Sequence, residues 1–416
     1  MSALNVSEER IGRLQLNIAV TSWSIAITSV AAMVLPVLNG IWEGCQLTYS
    51  QVTILQGLFA LIVALGEVPA GILADLIGYR RVLIVSGLLA FAGAFVYCLA
   101  CDFPTFLLAE ALFAFSICLS SGCREALVYE SLREQGQKDG YDRIWGRIRC
   151  IGFIVMALSC MFAGTLAEHL DARVILALVC LSFAVSAPLQ WMLTEPVRSK
   201  QRFKAGEFAA LCRVCLVEKR LLVWWLLFAA FLTTANQAGL WLQQPYFVHH
   251  NGLSLKAIGL VFAAGHCLAA FGSWLAPRLK STPLLFRLLL ANALVAFGYL
   301  LMGSLVSSWS FGFFYLLQLA RGFNGVLFSS EINRVAHKSI RATTLSVCNM
   351  LWSATYGLLS LGTGTLAVSF GIPALYTGIG VVTLVGGSIL LLIRLGIFEQ
   401  EEQLEVVPAF DEAVGQ

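Results

Sequence analysis

Runs of about 20 apolar residues, each closed by a short polar stretch, recur along this chain from residue 16 to residue 397. A helix rises about 1.5 Å per residue, so each run is long enough to cross a hydrocarbon core of about 30 Å. Lipid offers no partner to the exposed backbone of an open sheet, and the runs are therefore expected to be helices. Twelve spans are predicted, near residues 16–38, 52–74, 82–100, 106–129, 148–168, 174–193, 221–246, 255–276, 284–305, 309–332, 343–368 and 373–397. Composition agrees with this pattern: hydrophobic residues make up 58% of the chain and charged residues 12%, with a mean hydropathy of +0.81. A soluble domain carries about 25% charged residues. The expected fold class is an all-α membrane protein.

The polar stretches set the orientation. Most of the 27 Lys and Arg residues fall in the N-terminal stretch, in the even-numbered connections and after the last span, whereas Arg173 and Lys256 fall on the other side. Basic residues in short connections favour the cytoplasm, so both termini are predicted to be cytoplasmic. The net charge of +3 then reflects topology, and no nucleic-acid partner is expected. The start, MSALNVSEERIGRLQ, lacks the pattern of a cleaved signal peptide, which makes the first span an anchor. Most of the 12 cysteines lie inside spans, where they behave as small apolar residues. The C-x-x-C pairs Cys98/Cys101 and Cys212/Cys215 have no further ligands at metal-site spacing, so neither metal nor cofactor is expected. Cys45 and Cys101 are placed together on the outer side.

One connection is long. Residues 194–220 carry seven basic residues and divide the spans six and six. The expected organisation is a cytoplasmic N-terminus (1–15), a six-helix bundle (16–193), a basic linker (194–220), a second bundle (221–397) and an acidic cytoplasmic tail (398–416). The halves echo each other at a fixed offset: Gly71 and Gly272 lie near the ends of second spans, and Glu130-Ser-Leu-Arg133 matches Glu331-Ile-Asn-Arg334 at the ends of fourth spans. Both Glu–Arg pairs are spaced i, i+3, on one helical face. Two matches in register with the topology favour duplication, a common transporter signature.

The stretch Gly71-Ile-Leu-Ala-Asp75-Leu-Ile-Gly78-Tyr-Arg80-Arg81 resembles the signature of the major facilitator superfamily between helices 2 and 3. Glu67-Val-Pro69 and SSGCREALVYESL at 120–132 resemble bacterial branches of that superfamily, which implies a bacterial cytoplasmic (inner) membrane. The resemblance implies twelve transmembrane helices in two pseudo-symmetric six-helix bundles, working by alternating access. It also implies a cytoplasmic gate built from Gly71, Asp75, Gly78, Arg80 and Arg81, with Glu130, Arg133, Glu331 and Arg334 as partners. That gate is expected to form when the protein opens outward and to break when it opens inward.

Two arginines, Arg124 and Arg321, fall inside spans. A charge there costs about 2.5–3.5 kcal/mol on insertion, so it is expected to face a cavity or a partner. By the resemblance, helices 1, 4, 7 and 10 line a central cavity, and these arginines stand on its symmetry-related walls. A guanidinium fork suits a carboxylate or phosphate. Gln237, Trp241 and Gln244 recur at i, i+4, i+7 on helix 7, Ser116, Ser120 and Arg124 at i, i+4, i+8 on helix 4, and Gln318 shares a face with Arg321. These residues are the expected substrate site. Glu67 and Glu125 also lie within spans and are the expected proton-coupling carboxyls. His266 is expected to be a hydrogen-bonded core residue.

Gly362-Thr-Gly364-Thr-Leu-Ala367 matches a dinucleotide pattern but lies inside an apolar helix, where small residues allow close packing. No Walker loop, G-x-S-x-G or H-E-x-x-H occurs, so nucleotide-driven transport and enzymatic activity are not expected. The chain is expected to be a monomeric, proton-coupled secondary transporter of a small organic solute, carboxylate-bearing, such as an organic acid or a metal-chelating metabolite. Two alternatives stay open: a proton-coupled drug or metabolite efflux antiporter, and a non-transporting membrane receptor or scaffold. Drug antiporters of the superfamily carry a Gly-Pro motif in helix 5, and GFIVMALSCMFAGTL has no proline.

Overall fold

A computed structural model describes residues 8–137, 140–197, 220–335 and 341–401, without the side chains of a few positions, Asp75 among them. Among the described residues, all regular structure is helical. Twelve long helices follow the twelve predicted spans. The first six are α1 (Glu8–Val34), α2 (Tyr49–Ile77), α3 (Tyr79–Leu99), α4 (Phe103–Glu134), α5 (Tyr141–Leu166) and α6 (Ala172–Leu189). The others are α7 (Arg220–His249), α8 (Leu255–Arg278), α9 (Leu284–Ser304), α10 (Phe314–Val335), α11 (Arg341–Phe370) and α12 (Ile372–Glu401). Ten are long and apolar enough to cross a membrane. The other two are α10, which carries Arg321, Glu331 and Arg334, and α11, rich in Ser, Thr and Gly.

Several boundaries differ from the hydropathy pattern. Helix α1 begins at Glu8 instead of residue 16, and α5 begins at Tyr141 instead of 148. Hydropathy marks the lipid-matched part of a helix, while its polar outer turns stay helical. Caps fix other ends: Thr48 accepts from Gln51 N at 3.3 Å, and Asp102 accepts from Thr105 N at 2.9 Å. Bonds from Thr105 also hold the exposed Asp102 carboxyl below the usual carboxylate range. Gly78 alone joins α2 to α3, at φ +105°, a backbone region that glycine enters without strain.

Helix α7 was expected to be continuous and is broken. It is α-helical to Ala238, makes a 3-10 turn at Leu240–Leu242 and resumes at Gln243–His249. Pro245 cannot donate to the carbonyl of Trp241, four residues back, which favours a break here. Two buried tyrosines satisfy freed backbone groups: Gly239 N donates to Tyr299 OH at 3.0 Å, Tyr299 OH donates to Asn236 O at 2.7 Å, and Tyr376 OH donates to Gly239 O at 3.1 Å.

The halves, α1–α6 and α7–α12, meet where α2 packs on α11 and α5 on α8. The backbones come very close. A Cβ at Gly164 would lie 2.6 Å from Leu255 O, and one at Gly57 would lie 2.8 Å from Gly357 O. Small residues permit such approach between membrane helices, where packing drives association.

Candidate functional site

Arg321 of α10 and His266 of α8 lie 2.9 Å apart, between Nη2 and Nδ1. A guanidinium only donates, so Nδ1 accepts and the imidazole proton sits on Nε2. That Nε2 is buried without a partner among the described residues. Gln318 is also buried, packs against Gly265 of α8, and leaves its Oε1 unpartnered. The expected shared face of Gln318 and Arg321 is thus present, and both point at α8. His266 is 3% exposed and hydrogen-bonded, as its lone position in an apolar helix implied.

Arg124 of α4 is half-buried, and its Nε has no partner among the described residues. Arg321 is half-buried too. The described ion pairs include neither of them. Both guanidinium groups therefore lie within spans with no described carboxylate bonded to them.

The helix 7 residues go elsewhere, because the break at Gly239 rotates the chain after it. Gln244 accepts from Asn39 N at 2.8 Å, and Trp241 packs edge-on against Trp42 with centroids 5.9 Å apart. Both therefore join the two halves at the end that carries the α1–α2 connection. Gln237, before the break, is half-buried. Ser116 exchanges hydrogen bonds with Ser86 of α3 at 2.8 and 2.9 Å, and Ser120 is buried and donates to Ile117 O at 3.4 Å. No described hydrogen bond joins either serine to Arg124.

A cavity of about 310 Å³ opens between the first half and α7, lined by Gln56, Phe59, Tyr97, Glu110, Phe113 and Trp241 among others. Neither arginine lines it. Its only carboxyl is Glu110 of α4, 7% exposed. Glu110 Oε1 accepts from Gln56 Nε2 at 2.8 Å and from Tyr97 OH at 3.1 Å. Tyr97 OH in turn accepts from Trp42 Nε1 at 3.1 Å. Sequence reasoning missed Glu110, although a carboxylate seven residues inside α4 carries the same signal as Glu67 and Glu125. Glu67 is half-buried near Cys118, while Glu125 is exposed and lies near Trp145 and Arg149 of α5. A second cavity, about 560 Å³, lies between α7, α11 and α12 and is lined by no charged residue.

The expected gate residues lie at the opposite end. The side chain of Asp75 lies outside the described residues, and so do Cys212 and Cys215. Gly71 is exposed with open space around it, unlike Gly272, where a Cβ would lie 2.4 Å from Leu319 O. Arg80 donates to Trp191 O at 2.9 Å, while Arg81 is exposed. Glu195, from the start of the linker, caps α3 by accepting from Tyr79 N and Arg80 N at 3.0 and 2.8 Å. Glu130 pairs with Arg133 at 2.6 Å, and Glu331 pairs with Arg334 at 2.8 Å, so the repeated i, i+3 spacing makes the same bond in each half. Glu331 also binds Arg287 of α9 at 3.0 Å. Arg287 and Arg394, inside the predicted spans 284–305 and 373–397, are buried in α9 and α12.

Cys45 and Cys101 are free thiols that both accept from Arg173 Nη2, at 3.2 and 3.7 Å. Among the described residues, no three His, Cys, Asp or Glu side chains gather as a metal site would require.

Solved structures with the same arrangement are transporters. The chain is similar to the nucleoside transporter NupG, with TM-score 0.77 and 12% identity, covering 90% of this chain and 99% of that one. It is similar to the peptide transporter POT in complex with alafosfalin, with TM-score 0.70 and 15% identity, covering 92% and 94%. It is also similar to a bacterial homolog of the human lysosomal transporter Spinster in an inward-facing, unoccupied conformation, with TM-score 0.68 and 16% identity, covering 93% and 96%. At these identities the likeness concerns the fold. No curated protein matches the chain by sequence. The sequence profile of the Major Facilitator Superfamily matches residues 18–360. This multi-pass, all-helical integral membrane protein therefore belongs to the Major Facilitator Superfamily.

Proposed function

We propose that this chain is a monomeric secondary active transporter that carries a small organic anion by alternating access, coupled to protons. The observation that supports the anion is the pair Arg124 and Arg321, one in each half, with no described carboxylate bonded to either. Membrane-embedded guanidinium groups without a counter-charge suit a solute that brings one. His266 Nε2 and Gln318 Oε1 add an unused donor and an unused acceptor beside Arg321.

In this reading both termini face the cytoplasm of a bacterial cell, and the α1–α2 end faces outward. The halves touch at that outer end, which corresponds to an inward-facing state. Residues Gly71, Asp75, Gly78, Arg80, Arg81, Glu130, Arg133, Glu331 and Arg334 would form their gate only after the opposite movement. Glu67 and Glu125 are candidate coupling carboxyls.

Proteoliposomes carrying an imposed pH gradient test this, screened over organic anions and lipophilic cations. Anion uptake is expected to rise with the gradient and to fall roughly 10- to 140-fold in Arg124→Ala or Arg321→Ala, the range of a lost charged hydrogen bond. Uptake unchanged in both variants would remove the anion site. The aromatic cavity around Glu110 favours a second reading, proton-coupled export of a lipophilic cation, and cation efflux in the same vesicles would select it.

A further inference from the structure

Glu110 has no part in the proposed anion site, yet among the described residues it is the only carboxyl facing the cavity of about 310 Å³. No Lys, Arg or His lines that cavity. The groups that face Glu110 are Gln56 from α2, Tyr97 from α3 and, within electrostatic range, Tyr356 from α11. Trp42 reaches it only through Tyr97. Two neutral donors are poor compensation for a buried negative charge, so this site favours a cation or a proton on Glu110. Both donors bond one oxygen, Oε1, which leaves Oε2 free of a described partner.

The wall over this carboxyl comes from the other half. Trp241 of α7 lines the cavity, and Tyr356 of α11, 4% exposed, lies close to it. Separation of the halves at the α1–α2 end would carry Trp241 and Tyr356 away and admit water to Glu110. Water compensates the carboxylate better than this aromatic wall does.

We infer that Glu110 is a proton-binding site whose protonation permits the α1–α2 end to close, which makes it a further coupling carboxyl of the proposed transporter beside Glu67 and Glu125. Closure and protonation are then linked: each favours the other. Low pH on the outer side shifts the protein to the closed state, and a neutral side chain at position 110 holds it there at any pH.

Spin labels report this without a transported solute. Exposed His169 and Ser308 lie in connections at the same end, one in each half. In a background with the other cysteines replaced, His169→Cys and Ser308→Cys are labelled and the distance between them is measured from pH 5 to pH 8. The parent is expected to show a short distance at low pH and a growing longer population as pH rises. Glu110→Gln is expected to keep the short distance throughout. Tyr97→Phe, which keeps the carboxyl and removes one donor, is expected to titrate with a displaced midpoint. A parent distance that ignores pH overturns the link between protons and closure, and a pH shift that survives in Glu110→Gln overturns the assignment to Glu110. If the shift requires Glu110 but a pH gradient drives no transport in vesicles, this site stands and the coupled-transport reading falls.

Discussion

The two ends of the molecule are held by different forces. At the α1–α2 end the halves meet through uncharged contacts: Gly57 against Gly357, Gly164 against Gly259, Ser360 donating to Thr53 O at 2.8 Å, and Gly364 N donating to Thr53 Oγ1 at 3.0 Å. At the opposite end the described ion pairs, Arg10–Glu134, Arg133–Glu130, Arg287–Glu331 and Arg334–Glu331, each stay within one half. A buried charge pair is costly to separate, because each ion is left uncompensated. Neutral packing carries no such penalty when water replaces the contact. Ion pairs kept inside a half rigidify that half, and neutral contacts between halves can be made and lost repeatedly.

The largest expected effect breaks the charged end. Glu331 is 3% exposed and is held by both Arg287 and Arg334, so Glu331→Ala leaves buried Arg287 without its carboxylate. The expected loss is about 3–5 kcal/mol of stability, read as a lower thermal midpoint of the purified protein. Glu130→Ala at the related position in the first half should cost only about 0–1 kcal/mol, because Arg133 keeps roughly a third of its side chain in solvent. Equal losses would mean that the two halves are not stabilised differently.

Next in size is a change that wedges the neutral end apart. A Cβ at Gly164 already meets Leu255 O at 2.6 Å, and a leucine adds three more carbons. Overpacking of this kind costs about 1–3 kcal/mol. In a two-state equilibrium that is roughly a 5- to 150-fold shift away from the closed end. Oxidative cross-linking between Ser50→Cys and Thr365→Cys, whose native hydroxyls lie 3.3 Å apart, should fall accordingly in Gly164→Leu. Unchanged cross-linking would show that the α5–α8 crossing does not control closure.

These contrasts were only partly legible in the sequence. The twelve spans, the Gly78 turn and the repeated Glu–Arg pairs were visible because each is local: a run, a single glycine, an i, i+3 spacing. Glu110 was missed because its partners come from two other helices, Gln56 of α2 and Tyr97 of α3, and nothing in the chain brings those names together. The broken α7 was hidden for a similar reason. Pro245 marks a weak point, but Tyr299 and Tyr376, which make the break stable, lie in α9 and α12.

A smaller effect sharpens the neutral contact itself. Thr53→Val keeps the shape of the side chain and removes the oxygen that receives Gly364 N. Gly364 lies inside α11, where the helix supplies another acceptor, so the amide is not orphaned. A loss of about 1 kcal/mol in the closed state is expected, roughly a fivefold drop in the same cross-linking assay.

The smallest expected effect tests the one described charged contact between the halves, His249 Nε2 to Glu43 at 3.8 Å. Both side chains are about half exposed, and the pair carries opposite charges only while the imidazole is protonated. Water and salt screen such a contact, and the separation is long for a hydrogen bond. Glu43→Gln is therefore expected to change closure by no more than about 0.5 kcal/mol, near the detection limit of cross-linking, and added salt should change it no further. A shift larger than about 1 kcal/mol, erased by salt, would show that charge holds this end as well, and the contrast between neutral and ionic ends would no longer describe the molecule.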